Sequence, residues 1–330
     1  MYDAVIVGGG PAGMAAALAL GRVHRTVLLI DSGEGRNAPA AHVHNFLTRD
    51  GTPPGELRAI GRRELAAYPG VEVRSGAVAD LARAGADGTV DAAGADGAAE
   101  PRFSVVLAGG DRADARRVLL ATGLADDLPG PRGVEALWGR SAFHCPYCHG
   151  HECAGRRVAV LGAAPPRVRL ALQLSRFAAE VVLCTGGEPL DADARAALAA
   201  AGAAVRCEPV VCLEGTGGQL EQVAFEGGAP LAADAVFVVN APRQRSGLAA
   251  RLGCAVFADG CVEVDELHRT SVPGVYAAGD MARRATLPVP AAAVAVAAGS
   301  GSVAGAAIDQ DLLSADFGLP HPFPRAGSPS

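Results

Sequence analysis

The stretch Ala4-Val5-Ile6-Val7-Gly8-Gly9-Gly10-Pro11-Ala12-Gly13 decides how the chain begins to fold. Four apolar residues read as a buried strand, and the glycines after them read as a tight turn. Pro11 opens an Ala-rich helix that the pattern carries to Gly21. Thr26–Ile30 is a second apolar strand, ending in Asp31. Together these make one βαβ unit with parallel strands. Gly8, Gly10 and Gly13 fit G-x-G-x-x-G, a pattern that is weak alone and strong between a strand and a helix. The glycines let backbone approach a pyrophosphate, and the helix start offers amide donors and partial positive charge. Asp31 is placed to accept hydrogen bonds from the adenosine ribose. The segment predicts a dinucleotide site built from Gly8, Gly10, Pro11, Ala12, Gly13 and Asp31.

Outward from this unit, Val71–Arg74, Phe103–Leu107 and Arg117–Leu120 read as strands, and the Gly/Ala/Asp-rich Ala84–Ala99 reads as a hairpin tip or loop. Ala121-Thr122-Gly123 ends the last of them. The Pro/Gly-rich Leu128–Gly133 then marks a crossing into another domain. A second βαβ-like unit follows, with strand Val158–Leu161, helix Arg167–Ala179 and strand Glu180–Cys184. A third segment begins near Arg243. It holds Gly274-Val275-Tyr276-Ala277-Ala278-Gly279-Asp280 and an Ala-rich helix from about Pro290 to Leu312. The tail Phe317–Ser330 is Pro-rich and expected to be loosely ordered. The fold class is α/β, with two Rossmann-like dinucleotide-binding units.

Composition agrees. A length of 330 residues suggests about two domains, and half the residues are hydrophobic, enough for a sizeable core. The net charge is −6, and all 29 basic residues are arginines scattered without a long run, so nucleic acid is not an expected partner. The chain starts directly on a strand, without the basic and apolar regions of a secretory signal. Val289–Val296 is too short to span a bilayer, so no membrane partner and a cytoplasmic location are expected. Eight cysteines are too few for a disulfide scaffold of this length. Cys184, Cys207, Cys212, Cys254 and Cys261 are expected to be buried reduced thiols.

The remaining pair is different. His144-Cys145-Pro146-Tyr147-Cys148-His149-Gly150 places a C-x-x-C just before the second βαβ unit. A thiolate attacks a disulfide sulfur, and a second Cys at this spacing can resolve the mixed disulfide. A neighbouring imidazolium would lower the thiol pKa. Zinc is the alternative use, because His144, His149, His151 and Cys153 supply further donors nearby. The flavin-type features below favour the redox use, and no metal is expected.

These motifs together resemble the low-molecular-weight thioredoxin reductase family over nearly the whole chain. The resemblance rests on Gly8–Gly13, Asn45 in His44-Asn45-Phe46, Ala121-Thr122-Gly123, the Cys145/Cys148 pair and Gly279-Asp280. It implies FAD as cofactor, with Asn45, Ala121, Thr122, Gly123, Gly279 and Asp280 joining the glycine turn as its contacts. It implies a three-layer ββα sandwich in each domain, the second inserted into the first: an FAD segment 1–120, an NADPH-binding-like domain 121–243 carrying the C-x-x-C, and a closing FAD segment 244–330. A homodimer is also implied. Cys148 would face the flavin and Cys145 would exchange with substrate. More narrowly, Cys-Pro-Tyr-Cys-His-Gly-His-Glu resembles the branch that oxidises small dithiols in natural-product biosynthesis, the gliotoxin and holomycin dithiol oxidase type.

Two departures from the thioredoxin reductase pattern bear on direction. The acid that usually follows the second Cys is His149 here, and His151 lies two residues on. Either can take a proton from a substrate thiol near neutral pH. The second nucleotide turn reads Gly162-Ala163-Ala164-Pro165-Pro166-Arg167, with Ala164 and Arg167 where glycines are expected. Added Cβ atoms and Pro rings hinder backbone approach to a pyrophosphate and remove amide donors. Cys184-Thr185-Gly186-Gly187-Glu188 lacks the paired Arg that would clamp a 2′-phosphate. The expectation is an FAD-dependent dithiol oxidase acting on a small molecule, with O2 as terminal acceptor. The alternatives are a thioredoxin or disulfide reductase driven by NADPH or another donor such as ferredoxin, and a flavin redox sensor.

Overall fold

The computed structural model describes residues 1–83 and 102–324. The loop expected at Ala84–Ala99 and the last tail residues, 325–330, lie outside the described residues. The chain divides into two compact units: 1–36, 55–125 and 243–330 form the first, and 37–54 with 126–242 form the second. The crossing expected at 120/121 falls at 125/126, and the segment 37–54 belongs to the second unit. Each unit carries a Rossmann-like parallel sheet, and the second is inserted in sequence into the first.

The first unit is built on β1 (Tyr2–Val7), β2 (Val27–Asp31), β3 (Val71–Ser75), β4 (Val78–Arg83), β5 (Phe103–Leu107) and β6 (Arg112–Leu120). Their order is β3-β2-β1-β6-β5-β4, and the strand Val275–Ala277 pairs with β6 off this path. β1 is central, with Ala4 opposite Val27 on one side and Arg117 on the other. Ala4, Val5 and Ile6 have no exposed surface, as expected for a parallel strand covered on both faces. β6 starts at Arg112, five residues before the strand expected at Arg117, because Ala113 and Ala115 alternate inward. It serves two partners: Arg112–Ala115 pairs antiparallel with β5, and Val118–Leu120 pairs parallel with Val275–Ala277.

Helix α1 (Pro11–Arg22) follows β1. It packs against the C-terminal helix Val294–Phe317, which begins later and ends later than the sequence suggested. Ala293 is extended, and Gly318 closes the helix in the left-handed region at φ 62°. Small residues let the two helices meet: a Cβ on Gly301 would lie 2.0 Å from the Ala12 carbonyl oxygen. Charge fixes the far end. Arg25 pairs with Asp309 and Asp316, and Arg117 pairs with Asp311, which also accepts from the Tyr276 hydroxyl. Helix α2 (Pro54–Leu65) has no counterpart in the sequence reading, because its polar, Arg-rich pattern has a weak apolar stripe.

The second unit carries β7 (Ala142–Phe143), β8 (Arg157–Leu161), β9 (Glu180–Cys184) and β10 (Ala204–Arg206), with a further strand Ala235–Phe237 between β7 and β8. A hairpin of Val210–Thr216 with Gln219–Phe225 covers one face. Helix α3 (Pro146–His149) is a single turn carrying the redox motif, and α4 (Pro165–Leu174) follows β8. α4 stops before the expected Ala179, where Ser175 turns its hydroxyl back onto the Ala171 carbonyl. No helix among the described residues is long and apolar enough to cross a membrane.

Candidate active site

In the first unit, the glycine turn is shaped by backbone proximity. Gly8 sits at φ 115°, and a Cβ there would fall 2.2 Å from the Ala121 carbonyl oxygen. A Cβ on Gly13 would fall 1.9 Å from the Gly8 carbonyl oxygen. Both positions require glycine. Gly10, the residue before α1, has an ordinary φ of −76° and nothing within 4 Å of where a Cβ would be. The space over the start of α1 is therefore open, and no side chain caps it. Such a start, with amides facing open space, fits a pyrophosphate.

Asp31 ends β2 beside this turn and is buried. A Cβ on Gly9 would meet its carboxylate within 2.6 Å. Burial alone would raise the Asp31 pKa, but the Gly33 amide and the Arg62 guanidinium hold it below the usual range. The Ala121 amide donates to Val7 at 2.8 Å, and the Thr122 hydroxyl reaches the Met281 sulfur at 3.3 Å. Gly123 turns at φ 67°. The Gly279 amide donates to the Ser300 hydroxyl at 2.9 Å, and Arg36 holds the Asp280 carboxylate at 2.8 Å. Gly8, Gly10, Pro11, Ala12, Gly13, Asp31, Ala121, Thr122, Gly123, Gly279 and Asp280 thus all lie in the first unit. Asn45 lies in the second, in the left-handed region at φ 60°, with its amide donating to Asp50 at 2.7 Å.

The second unit holds the cysteine pair. Cys145 is the extended residue before α3, and its carbonyl accepts from the Cys148 and His149 amides at 3.3 Å each. Both cysteines are half-buried, while Tyr147 between them is 72% exposed. The His149 ring stacks on Phe143 at 4.4 Å between centroids, and neither ring nitrogen has a hydrogen-bond partner. Burial lowers the His149 pKa, opposed by the Glu152 carboxylate, so the neutral imidazole is favoured. His144 stacks on Trp138, and His151 is exposed.

Cys153 is buried, with its sulfur against the His149 carbonyl at 3.3 Å and burial pushing the thiol up to about 11. That makes Cys153 part of the packing under α3. No group of three or more His, Cys, Asp or Glu among the described residues is arranged to hold a metal. Of the other cysteines, Cys184, Cys254 and Cys261 are buried, and burial raises all three thiols. Cys207 is a correction: it is exposed, in the turn between β10 and the hairpin, and Cys212 is half-buried on an outer strand.

The second nucleotide turn is closed from within. Pro165 and Pro166 are the first two residues of α4, so its first turn lacks two amide donors. Arg167 folds its side chain inward. Nε donates to the Leu161 carbonyl at 2.8 Å and Nη2 donates to the Phe237 carbonyl, at the C-terminal ends of two adjacent parallel strands. In parallel α/β sheets, that edge is where ligands bind. Burial without a carboxylate partner lowers the Arg167 pKa to about 10.

A family model for pyridine nucleotide-disulphide oxidoreductases matches residues 2–299. The chain belongs to this family. It is 31% identical over 291 residues to thioredoxin reductase tcpT of Claviceps purpurea, covering 85% of this chain and 86% of that one. It is 31% identical over 338 residues to thioredoxin reductase sirT of Leptosphaeria maculans, covering 96% of each. The solved structure of HlmI superimposes with a TM-score of 0.84 at 40% identity, covering 96% of this chain and 94% of that chain. As a member of the pyridine nucleotide-disulphide oxidoreductase family, the chain is a flavin thiol–disulfide oxidoreductase whose cofactor is FAD.

Several residues around the site carry no signal in the sequence. Arg62, on the unexpected helix α2, neutralises Asp31. Arg36 pairs with Asp280 across a long stretch of chain. His44 faces Glu152, one residue beyond His151, and also Asp50. Position next to Asn45 is the one hint that His44 matters.

Proposed function

We propose that this chain oxidises a small-molecule dithiol to its disulfide through Cys145 and Cys148, with dioxygen as the terminal acceptor. The carrying observation is the closed second nucleotide turn, where Arg167 and two prolines occupy the place a pyridine nucleotide would need. FAD would be held in the first unit by the open glycine turn Gly8–Gly13, Asp31, Ala121–Gly123, Gly279 and Asp280. Bound FAD supplies a two-electron acceptor that reoxidises the cysteine pair and is itself reoxidised, in this reading by dioxygen, with hydrogen peroxide as product.

The chain's own residues perform the exchange. A substrate thiolate attacks the Cys145 sulfur of the Cys145–Cys148 disulfide, giving a mixed disulfide and a Cys148 thiolate. The second substrate thiolate attacks its partner sulfur, closing the product disulfide and releasing the Cys145 thiolate. Of the two histidines after the pair, His151 is exposed and open to a substrate thiol, while the neutral imidazole favoured at His149 has both ring nitrogens enclosed. The assembly in this reading is a homodimer.

A reductase reading has one observation in its favour, the names of the two fungal relatives. Aerobic turnover with dithiothreitol separates the two. Hydrogen peroxide should form in proportion to the dithiol consumed, with no pyridine nucleotide present. Turnover that strictly requires NADPH would sink the oxidase reading.

A further inference from the structure

His44 sits between two carboxylates. Its Nδ1 is 3.5 Å from an Asp50 oxygen, and its Nε2 is 3.4 Å from a Glu152 oxygen. The Asp50 carboxylate is held by a backbone amide, and Glu152 is carried on a hydrogen-bonded turn. Asp50 accepts from the Asn45 amide at 2.7 Å, inside a loop closed by hydrogen bonds between Val43 and Thr52 and between Gly51 and Val43. Glu152 lies on the short turn His151–Cys153, which continues directly from α3. The Gly150 amide bonds Pro146 at 2.7 Å and the Cys153 amide bonds Gly150 at 3.0 Å, so Glu152 is tied to the turn that carries both redox cysteines.

Asp50 is the member most open to solvent. The side chains of Glu152, His44 and Asp50 are 38%, 21% and 66% exposed. An imidazole facing an acceptor on each nitrogen can take a proton at one and release it at the other. The exchange described above produces protons that must leave: two substrate S–H bonds and the Cys145–Cys148 bond break, and one substrate S–S bond forms. The electron pair stays on the two cysteine sulfurs as thiolates, and two protons are released. The ring nitrogens of His149, the nearest imidazole to Cys148 in sequence, are enclosed and have no partner through which to pass a proton on.

We propose that Glu152, His44 and Asp50 form the relay that carries these protons from the redox turn to solvent, with His44 as its positioning residue. The proposal rests on the oxidase reading for its direction. The groups that face or act on the relay include His42, whose ring centroid is 6.0 Å from that of His44, His149, which feels both Glu152 and His44, His151, which acts on Asp50, Cys153, which feels Glu152, and Arg140, Arg156 and Asp234, which line one cavity with Glu152.

The test is the anaerobic reduction of the FAD-loaded enzyme by dithiothreitol, followed as a function of pH. His44→Ala should slow this step by about tenfold or more, and added imidazole should restore part of the rate. Asp50→Asn, at an exposed position, should shift the rate–pH profile without loss of fold. Reoxidation of the pre-reduced variants by air should stay at the wild-type rate. A wild-type rate and pH profile in His44→Ala, or a slow rate that imidazole does not rescue while Asp50→Asn keeps the wild-type profile, would overturn the relay. Failure of dithiothreitol to reduce the wild-type enzyme would overturn the oxidase reading instead.

Discussion

Cys148→Ser is expected to reduce dithiol turnover by at least about a thousandfold, roughly 4 kcal/mol of lost transition-state stabilisation. Without Cys148 there is no internal disulfide for a substrate thiolate to attack, so the loss falls on the chemical step and leaves binding in place. Cys145→Ser should be equally inactive, yet the two variants should differ in trapping. Offered the oxidised, disulfide form of a model dithiol, Cys148→Ser should retain a mixed disulfide on Cys145, visible as a mass increase. Cys145→Ser should trap far less, because the family resemblance implies that Cys145, and not Cys148, exchanges with substrate. Both variants should keep bound flavin, since neither residue lies in the unit that carries the glycine turn. Equal trapping on both would contradict the division of roles, and turnover within tenfold of wild type in either would remove the pair from the mechanism.

Gly13→Val should yield protein purified without flavin. Its Cβ would fall 1.9 Å from the Gly8 carbonyl oxygen, so the turn must open or the helix must withdraw. Overpacking of this kind costs about 1–3 kcal/mol or more before the stabilisation from bound cofactor is also lost. Gly10→Ala separates folding from binding. Its backbone is ordinary and its Cβ meets nothing, so the apoprotein should keep its circular dichroism and melting temperature. Its FAD affinity should fall by about tenfold or more, because the methyl group enters the space the pyrophosphate needs. Titration of the two apoproteins with FAD measures this. Wild-type affinity in Gly10→Ala would mean that the phosphates are seated elsewhere.

The elements that could be read from sequence were those with strong local rules. β1, the glycine turn, α1 and β2 share one apolar pattern and one turn chemistry, and each lies within a residue or two of its expected place. Gly8 and Gly13 were legible because only glycine fits where backbones nearly touch. The second turn was legible through its violations, but the course of the Arg167 side chain was not. A sequence shows that a glycine is missing, and only the fold shows that the guanidinium fills the strand ends. Helix α2 escaped because its sequence is largely polar. His44, Asp50 and Glu152 escaped because two loops distant in sequence bring them together. His149 was read as a base from its place in the motif, while its stacking on Phe143 and its enclosed nitrogens are tertiary facts. Cys207 is exposed because its strand ends at Arg206, leaving it between two charged residues, Arg206 and Glu208, at the surface.

The direction of electron flow is the central claim, and anaerobic flavin absorbance tests it most directly. With oxygen excluded, the FAD-loaded enzyme is mixed with dithiothreitol in one syringe and with NADPH in another. The account predicts rapid bleaching by the dithiol and none by NADPH on the same timescale. Rapid bleaching by NADPH, with none by the dithiol, would contradict it.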